Sequence, residues 1–235
     1  MKVDYNKIYS SYSEENIDYV KRTGLWKAKN ICKLIKDEPA ESILEVGTGR
    51  GDVLNACYPF KLKIGADISE EALKQHHNMY STHKLVQIDA DKPLPFSNNE
   101  VDFVLLCDIL EHVEDPKPLL REAARVGKNV LLKIPIEDAI LLNIMRKINK
   151  VEYGPQHPSG HLHCWTISKT QNIIEDAGLK IIRSKFLPMP VDLLEKKYLL
   201  KNITVSFLSF ADIFTINNFF SRILIGGSYF AVARK

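Results

Sequence analysis

The residues best suited to chemistry stand in one short run, Glu45-Val46-Gly47-Thr48-Gly49-Arg50-Gly51-Asp52. Three glycines at alternate positions follow the apolar stretch Ser42–Val46, and a helix can begin near Asp52. Glycine permits φ > 0 and lets a ligand approach the backbone without meeting a Cβ. A strand that breaks into glycines and then a helix is how an open α/β sheet builds a ligand site. A bare strand-to-helix turn is the other reading of this loop alone. Two more acids fall at telling positions. Asp67 closes the second apolar run, 20 residues after Gly47, where a carboxylate can accept ribose hydroxyls. Asp89-Ala90 follows the third run, placed for an adenine amino group, and Ile68 offers an apolar face to the ring.

The loop by itself fits NAD, FAD or another adenosine cofactor. Its spacing is G-x-G-x-G, and Asp52 stands where the dinucleotide fingerprint would need its last glycine. A pyrophosphate wants free backbone N–H groups and positive potential. Glu45 before the loop and Asp52 within it repel phosphate, so a phosphate-free adenosine cofactor fits better. Candidate proton acceptors are His112, His161 and His163, with Asp108 and Glu111 near in sequence. His112 follows the fourth apolar run, at the open end of the sheet where ligands bind. The plainer reading is that these histidines tie loops to neighbouring elements. The spacing of His157, His161, His163 and Cys164 matches no common zinc pattern, and no metal is expected.

These residues need a framework. Apolar runs at Ile43–Val46, Leu62–Asp67, Leu85–Ile88, Val101–Cys107 and Val130–Pro135 alternate with helical stretches at Asp52–Cys57, Glu70–Tyr80 and Pro118–Val126. That rhythm predicts a Rossmann-like, doubly wound α/β sheet, mostly parallel and covered on both faces. Ser168–Ala177 reads as a further helix ended by Gly178, and Leu179–Ser184 as a strand. Ser228–Ala233 is a last strand after the Gly226-Gly227 turn, expected to be antiparallel and to complete seven strands. Four segments are expected: an N-terminal helical lid (1–39), the cofactor-binding core (40–136), a substrate-side insertion (137–167), and the C-terminal half of the core (168–235). The last carries an apolar helical cap over 191–225. The tyrosine-rich first segment reads equally as a helix packed on the sheet edge or as a lid over the site.

The 235 residues suit one domain with an insertion. A net charge of +3 is too small to point to nucleic acid. Four scattered cysteines without a Cys-x-x-Cys pair read as reduced thiols. No apolar leader opens the chain and no run reaches membrane-spanning length, so a cytoplasmic setting is expected.

Taken in order, several pieces resemble the class I S-adenosylmethionine-dependent methyltransferases, in particular the group that includes ubiquinone- and menaquinone-pathway and small-molecule enzymes. They are Glu45–Gly51, Ala66-Asp67-Ile68-Ser69, Asp89-Ala90, Leu94-Pro95-Phe96 before Val101–Val104, and Leu110-Glu111-His112-Val113-Glu114-Asp115-Pro116 running into Leu120–Val126. Gly160–Thr166 resembles a substrate-side loop of the same group. The resemblance implies S-adenosyl-L-methionine as cofactor and S-adenosyl-L-homocysteine as product. It implies that Gly47, Gly49 and Gly51, with Thr48 between them, wrap the homocysteine part, and that Glu45 orients its ammonium through water. Asp67 would hold the ribose, and Asp89 and Ala90 the adenine with Ile68 beside it. Cys107 would offer its carbonyl near the methionine amine. One departure is plain: Val126-Gly127-Lys128-Asn129 stands where relatives carry a Lys/Arg-Pro-Gly-Gly turn.

Cys107-Asp108-Ile109-Leu110 lacks the Asn/Asp-Pro-Pro-Tyr of enzymes that methylate planar amides or nucleobase amines. Pro135-Ile136-Glu137 lacks the Asp-Asn pair of metal-dependent catechol enzymes. The expectation is a methyltransferase acting at oxygen on a small-molecule or lipid-linked acceptor, with peripheral membrane contact through 191–225. An RNA methyltransferase, from the basic run Arg146–Lys150, a non-catalytic cofactor-binding module and an NAD-linked oxidoreductase are the alternatives. Sequence alone leaves the oligomeric state open.

Overall fold

A computed structural model describes residues 3–154, 157, 160–188, 190, 223 and 226–235. Helix α1 (Tyr5–Ser10) starts at Asp4, whose side chain accepts from the Lys7 amide. Helix α2 (Glu14–Leu34) starts with a reciprocal cap between Ser13 and Asn16 and carries Glu14 and Glu15 in its first turn, which favours the positive end of the helix dipole. Strand β1 (Ser42–Val46) runs through the glycine loop into α3 (Asp52–Ala56). Then come β2 (Leu62–Asp67), α4 (Glu70–Met79) and β3 (Lys84–Gln87). Strand β4 (Val101–Cys107), α5 (Pro116–Val126), β5 (Gly127–Ile136) and α6 (Ile140–Asn149) follow. Last are α7 (Ile167–Asp176), β6 (Lys180–Leu187) and β7 (Gly227–Arg234).

The seven strands form one sheet in the order β3-β2-β1-β4-β5-β7-β6. The first five pair parallel with one another, and β7 runs antiparallel to both β5 and β6. This is the expected doubly wound sheet. Strand alternation splits the core in two. Leu44, Val46, Val104 and Leu106 pack with Leu119, Leu120 and Ala123 of α5 and with Ile174 of α7. Ile43, Phe103, Leu105 and Leu131 face the other way, with Ala28, Ile31 and Ile35 of α2 and Leu54 of α3. Burial on both faces is why the central strands read as unbroken apolar runs rather than alternating ones.

The two N-terminal helices take different places. Helix α2 packs on the sheet, whereas α1 reaches α4: Asn6 Oδ1 accepts from Ser69 Oγ at 2.8 Å and from the Glu71 amide at 3.2 Å. The atypical Val126–Asn129 segment makes no loop, because α5 passes directly into β5 at Gly127. A Cβ on Gly127 would lie 2.9 Å from a Val104 methyl and 2.8 Å from the Asn129 carbonyl, so the direct passage depends on glycine. The expected helical cap, 191–225, lies outside the described residues except Ile223. No described helix is long and apolar enough to cross a membrane.

Candidate active site

The sheet order reverses between β1 and β4, and a crevice opens there beyond the carboxyl ends of the strands. At the end of β1 the amides of Gly47 and Thr48 both donate to the Ala66 carbonyl, at 2.8 and 3.0 Å. The chain then turns with φ of +75° at Gly47, +52° at Gly49 and +81° at Gly51. A Cβ on Gly47 would lie 2.8 Å from Ile109 Cδ1, and one on Gly49 would lie 2.6 Å from the Tyr9 hydroxyl. Gly51 has a different reason to be glycine: a Cβ there would run into the ring of His76, which is wholly buried.

Asp67 fixes the loop from the end of β2. Its Oδ2 accepts from the Gly49 amide at 2.7 Å and its Oδ1 from the Ser69 amide at 2.9 Å. Burial raises its pKa, and those amides work against the rise. Glu45 is buried on the α2 side of β1 and accepts from Thr48 Oγ1 at 3.1 Å. Burial pushes its carboxyl up to about 8.

The crevice encloses about 340 Å³. Gly47, Asp67, Ile68, Ile88, Asp89 and Ala90 line one end, and Asp108, Ile109, His112, Val113, Gly160 and Leu162 the other, with Tyr5 and Tyr9 of α1 also on the wall. Among the described residues its wall carries five carboxylates (Asp67, Asp89, Asp91, Asp108 and Glu114) and no lysine or arginine. Such a wall attracts cations and repels a diphosphate.

Asp108 ends β4 at φ +55°. It pairs with Lys133 of β5 and, at 2.8 Å, with Lys27 of α2. Burial alone would raise its carboxyl, but the two ammonium groups outweigh burial and hold it well below the usual carboxylate range. Burial likewise opposes the Lys27 charge, and Asp108 overrides it, so that ammonium is held above its ordinary value. Glu111 is buried three residues on, and burial, aided by the Asp108 carboxylate, pushes its carboxyl well up.

His112 Nδ1 lies 3.1 Å from the Gly160 carbonyl, so it carries the proton and donates. Burial and the neighbouring His161 lower the His112 pKa. His161 Nδ1 lies 2.9 Å from Glu137 Oε2, and the two imidazoles meet edge to face at 5.1 Å. His157 stacks on His161 at 4.9 Å, and Tyr153 stacks on His157 beneath the Arg146 guanidinium.

The structure brings together Gly47, Asp67, Ile68, Asp89, Ala90 and His112 of the residues expected from sequence. Thr48, Gly49 and Gly51 shape the loop from behind. Glu45 and Cys107 lie beneath it, off the lining. His161 stands just behind His112. His163 instead points its Nε2 at the Val113 carbonyl, 2.8 Å away, and leans on Trp165. The Lys27–Asp108–Lys133 cluster escaped sequence reasoning; its three members stand on different elements, and only the polar lysine inside the apolar run of β5 hints at it.

Comparisons with known proteins agree with this geometry. Residues 44–130 match the family described as a methyltransferase domain. An uncharacterised protein of Methanocaldococcus jannaschii is 31% identical over 137 residues, 57% of this chain and 64% of its own length. The chain thus spans less than two thirds of that relative. A Haloferax volcanii protein solved in complex with the methyltransferase activator Trm112 superposes with a TM-score of 0.70 at 16% identity, over 100% of this chain and 98% of that one. Magnesium protoporphyrin IX methyltransferase from Synechocystis PCC 6803, solved with bound S-adenosylhomocysteine, superposes with a TM-score of 0.58 at 16% identity, over 98% and 93%. The fold is that of the methyltransferases on which the chain superposes, and residues 44–130 resemble a methyltransferase domain.

Proposed function

We propose that the chain transfers a methyl group from S-adenosylmethionine to a hydroxyl of a small-molecule or lipid-linked acceptor. The observation that carries this reading is the single acid-lined crevice joining the Asp67 end to the His112 end. When bound, S-adenosylmethionine supplies a methyl already activated by its sulfonium. Asp67 suits the ribose, because each carboxylate oxygen spends one lone pair on a backbone amide and keeps another for a hydroxyl. Asp89 and Ala90 suit the adenine edge, with Ile68 and Ile88 as apolar walls. Glu45, through Thr48 and water, suits the ammonium. Tyr5 and Tyr9 exclude water from above.

The remaining task is position and proton removal. His112 is neutral near pH 7, and its Nδ1–H is committed to Gly160, so the Nε2 lone pair stays available for the acceptor end of the crevice, as base or as ligand. His161 is held in the same tautomer by Glu137. The apolar periodicity of 191–225 supports a lipophilic acceptor. Nucleic acid is disfavoured by the acidic lining, and Arg146 of the basic run is engaged with Tyr153 and Asn143.

The test is incubation with methyl-labelled S-adenosylmethionine and cell extract separated into small-molecule, lipid and RNA fractions. Label is expected in the small-molecule or lipid fraction. Label in RNA alone, or in no acceptor, would contradict the reading.

A further inference from the structure

We propose that Glu111, His112 and His161 form a divalent-cation site at the acceptor end of the crevice, and that the acceptor hydroxyl binds through that cation. The proposal rests on the methyltransferase reading for its acceptor, and specifies how the histidine pair acts. One ligand atom from each of the three residues lies within 4.8 Å of the other two. Metal bonds of about 2.0–2.2 Å place tetrahedral ligand atoms roughly 3.3–3.6 Å apart, so binding requires the three side chains to close in by up to about 1.5 Å. Two imidazoles and one carboxylate suit first-row cations such as Zn²⁺, Mn²⁺, Fe²⁺ or Co²⁺.

Two further features point to a ligand. Both histidines have Nδ1 fixed by an acceptor, His161 by the Glu137 carboxylate at 2.9 Å and His112 by the Gly160 carbonyl at 3.1 Å. That pattern orients the other ring nitrogen of metal-bound histidines. Glu111 is 1% exposed, and its Oε2 has no hydrogen-bond partner, an arrangement that folded proteins avoid unless something else occupies the site. The loops are also joined locally: the Leu162 amide donates to the Glu111 carbonyl at 2.7 Å. No sequence spacing announces this set, since His161 comes 50 residues after Glu111.

Three protein ligands leave open positions for an acceptor oxygen. Coordination lowers the pKa of the hydroxyl, whose proton leaves to water. The oxygen then forms the new O–C bond as the C–S bond breaks and its electron pair stays on sulfur. Acceptors that bind metals, such as hydroxyacids or vicinal diols, follow as the favoured class.

The test uses the full chain, stripped with a chelator, in the absence of S-adenosylmethionine. Zn²⁺ is titrated by calorimetry and Co²⁺ by its visible absorption. One equivalent is expected to bind, with Co²⁺ bands showing nitrogen ligation. Glu111→Gln and His161→Ala are each expected to weaken binding at least about tenfold, and Glu137→Gln by about tenfold, while His77→Ala on the exposed face of α4 leaves it intact. Circular dichroism confirms that each variant is folded. Absence of stoichiometric binding, or binding that survives both Glu111→Gln and His161→Ala, overturns the site. S-adenosylhomocysteine affinity measured on the same samples separates the two readings. Intact cofactor binding without metal binding removes only the cation, and the reverse removes the methyltransferase assignment.

Discussion

Replacing Asp108 by asparagine tests the electrostatics beneath the crevice. Asparagine tolerates the left-handed backbone at φ +55° nearly as well as aspartate, so the substitution removes charge with little backbone strain. Lys133 has 5% of its side chain exposed and Lys27 20%, and Asp108 is the acid paired with both. Breaking a buried pair from one side costs about 3–5 kcal/mol, because the remaining charge stays buried. The lower end applies here, since the asparagine oxygen still accepts one hydrogen bond. A loss of about 3 kcal/mol corresponds to a Tm lower by about 6–12 °C for a chain of this size. The sign with pH follows from the two shifts. The Asp108 carboxyl is depressed, so its contribution is present above the unfolded value near 3.9 and disappears as pH falls through the folded value. The Lys27 ammonium is raised, so its share is fully present below the unfolded value of about 10.4 and is lost as pH rises through the folded one. The stability gap between wild type and Asp108→Asn, measured by urea unfolding, is therefore flat from about pH 5 to 10, closes in acid and narrows again in strong alkali. Adding Lys133→Met removes the more buried of the two orphan charges and restores part of the loss. A gap under about 1 kcal/mol, or a further loss on adding Lys133→Met, would refute the reasoning.

Other substitutions separate the roles of neighbouring residues. Gly47→Ala and Gly51→Ala each force an L-residue to positive φ and cost about 1–2 kcal/mol; only Gly51→Ala regains stability in a His76→Ala background, as thermal unfolding of the double variants would show. The raised Glu45 carboxyl makes the folded protein bind more protons than the unfolded chain between about pH 4.5 and 8, so wild-type stability falls with pH across that window. Glu45→Gln lacks this slope and gains on wild type from pH 4.5 to 8 in chemical denaturation, and parallel curves would contradict the burial of an ionisable Glu45. His112→Gln lowers the methyl-transfer rate by about 10²–10⁴-fold with cofactor affinity retained, in single-turnover assays on the acceptor found by labelling.

The sheet was legible because its central strands are buried on both sides, and Ile43–Val46 and Val101–Cys107 therefore stand out as apolar runs. The Asp67 end of the crevice was legible because Gly47, Asp67 and Asp89-Ala90 each fall at or just past the end of a strand, where sequence position nearly determines place. The His112 end was not. Glu111, His112, Glu137 and His161 come from segments joined by tertiary contacts such as the Leu162–Glu111 hydrogen bond, which leaves no periodicity behind. Sequence grouped His161 with His163, but one imidazole meets His112 and the other a backbone carbonyl. At Gly51, packing against His76 adds a requirement for glycine that its place in the loop does not reveal. The helix passes into β5 at Gly127 without the turn that the resemblance implies at Val126–Asn129.

The most direct measurement is calorimetric binding of S-adenosylhomocysteine and of NAD to the wild type and to Asp67→Asn. S-adenosylhomocysteine is expected to bind one site and to lose about tenfold or more in affinity in the variant, the worth of a charge-assisted hydrogen bond, with no binding of NAD to either protein. Binding of NAD in place of S-adenosylhomocysteine, or an affinity indifferent to Asp67, would contradict an acid-lined site built for a phosphate-free sulfonium.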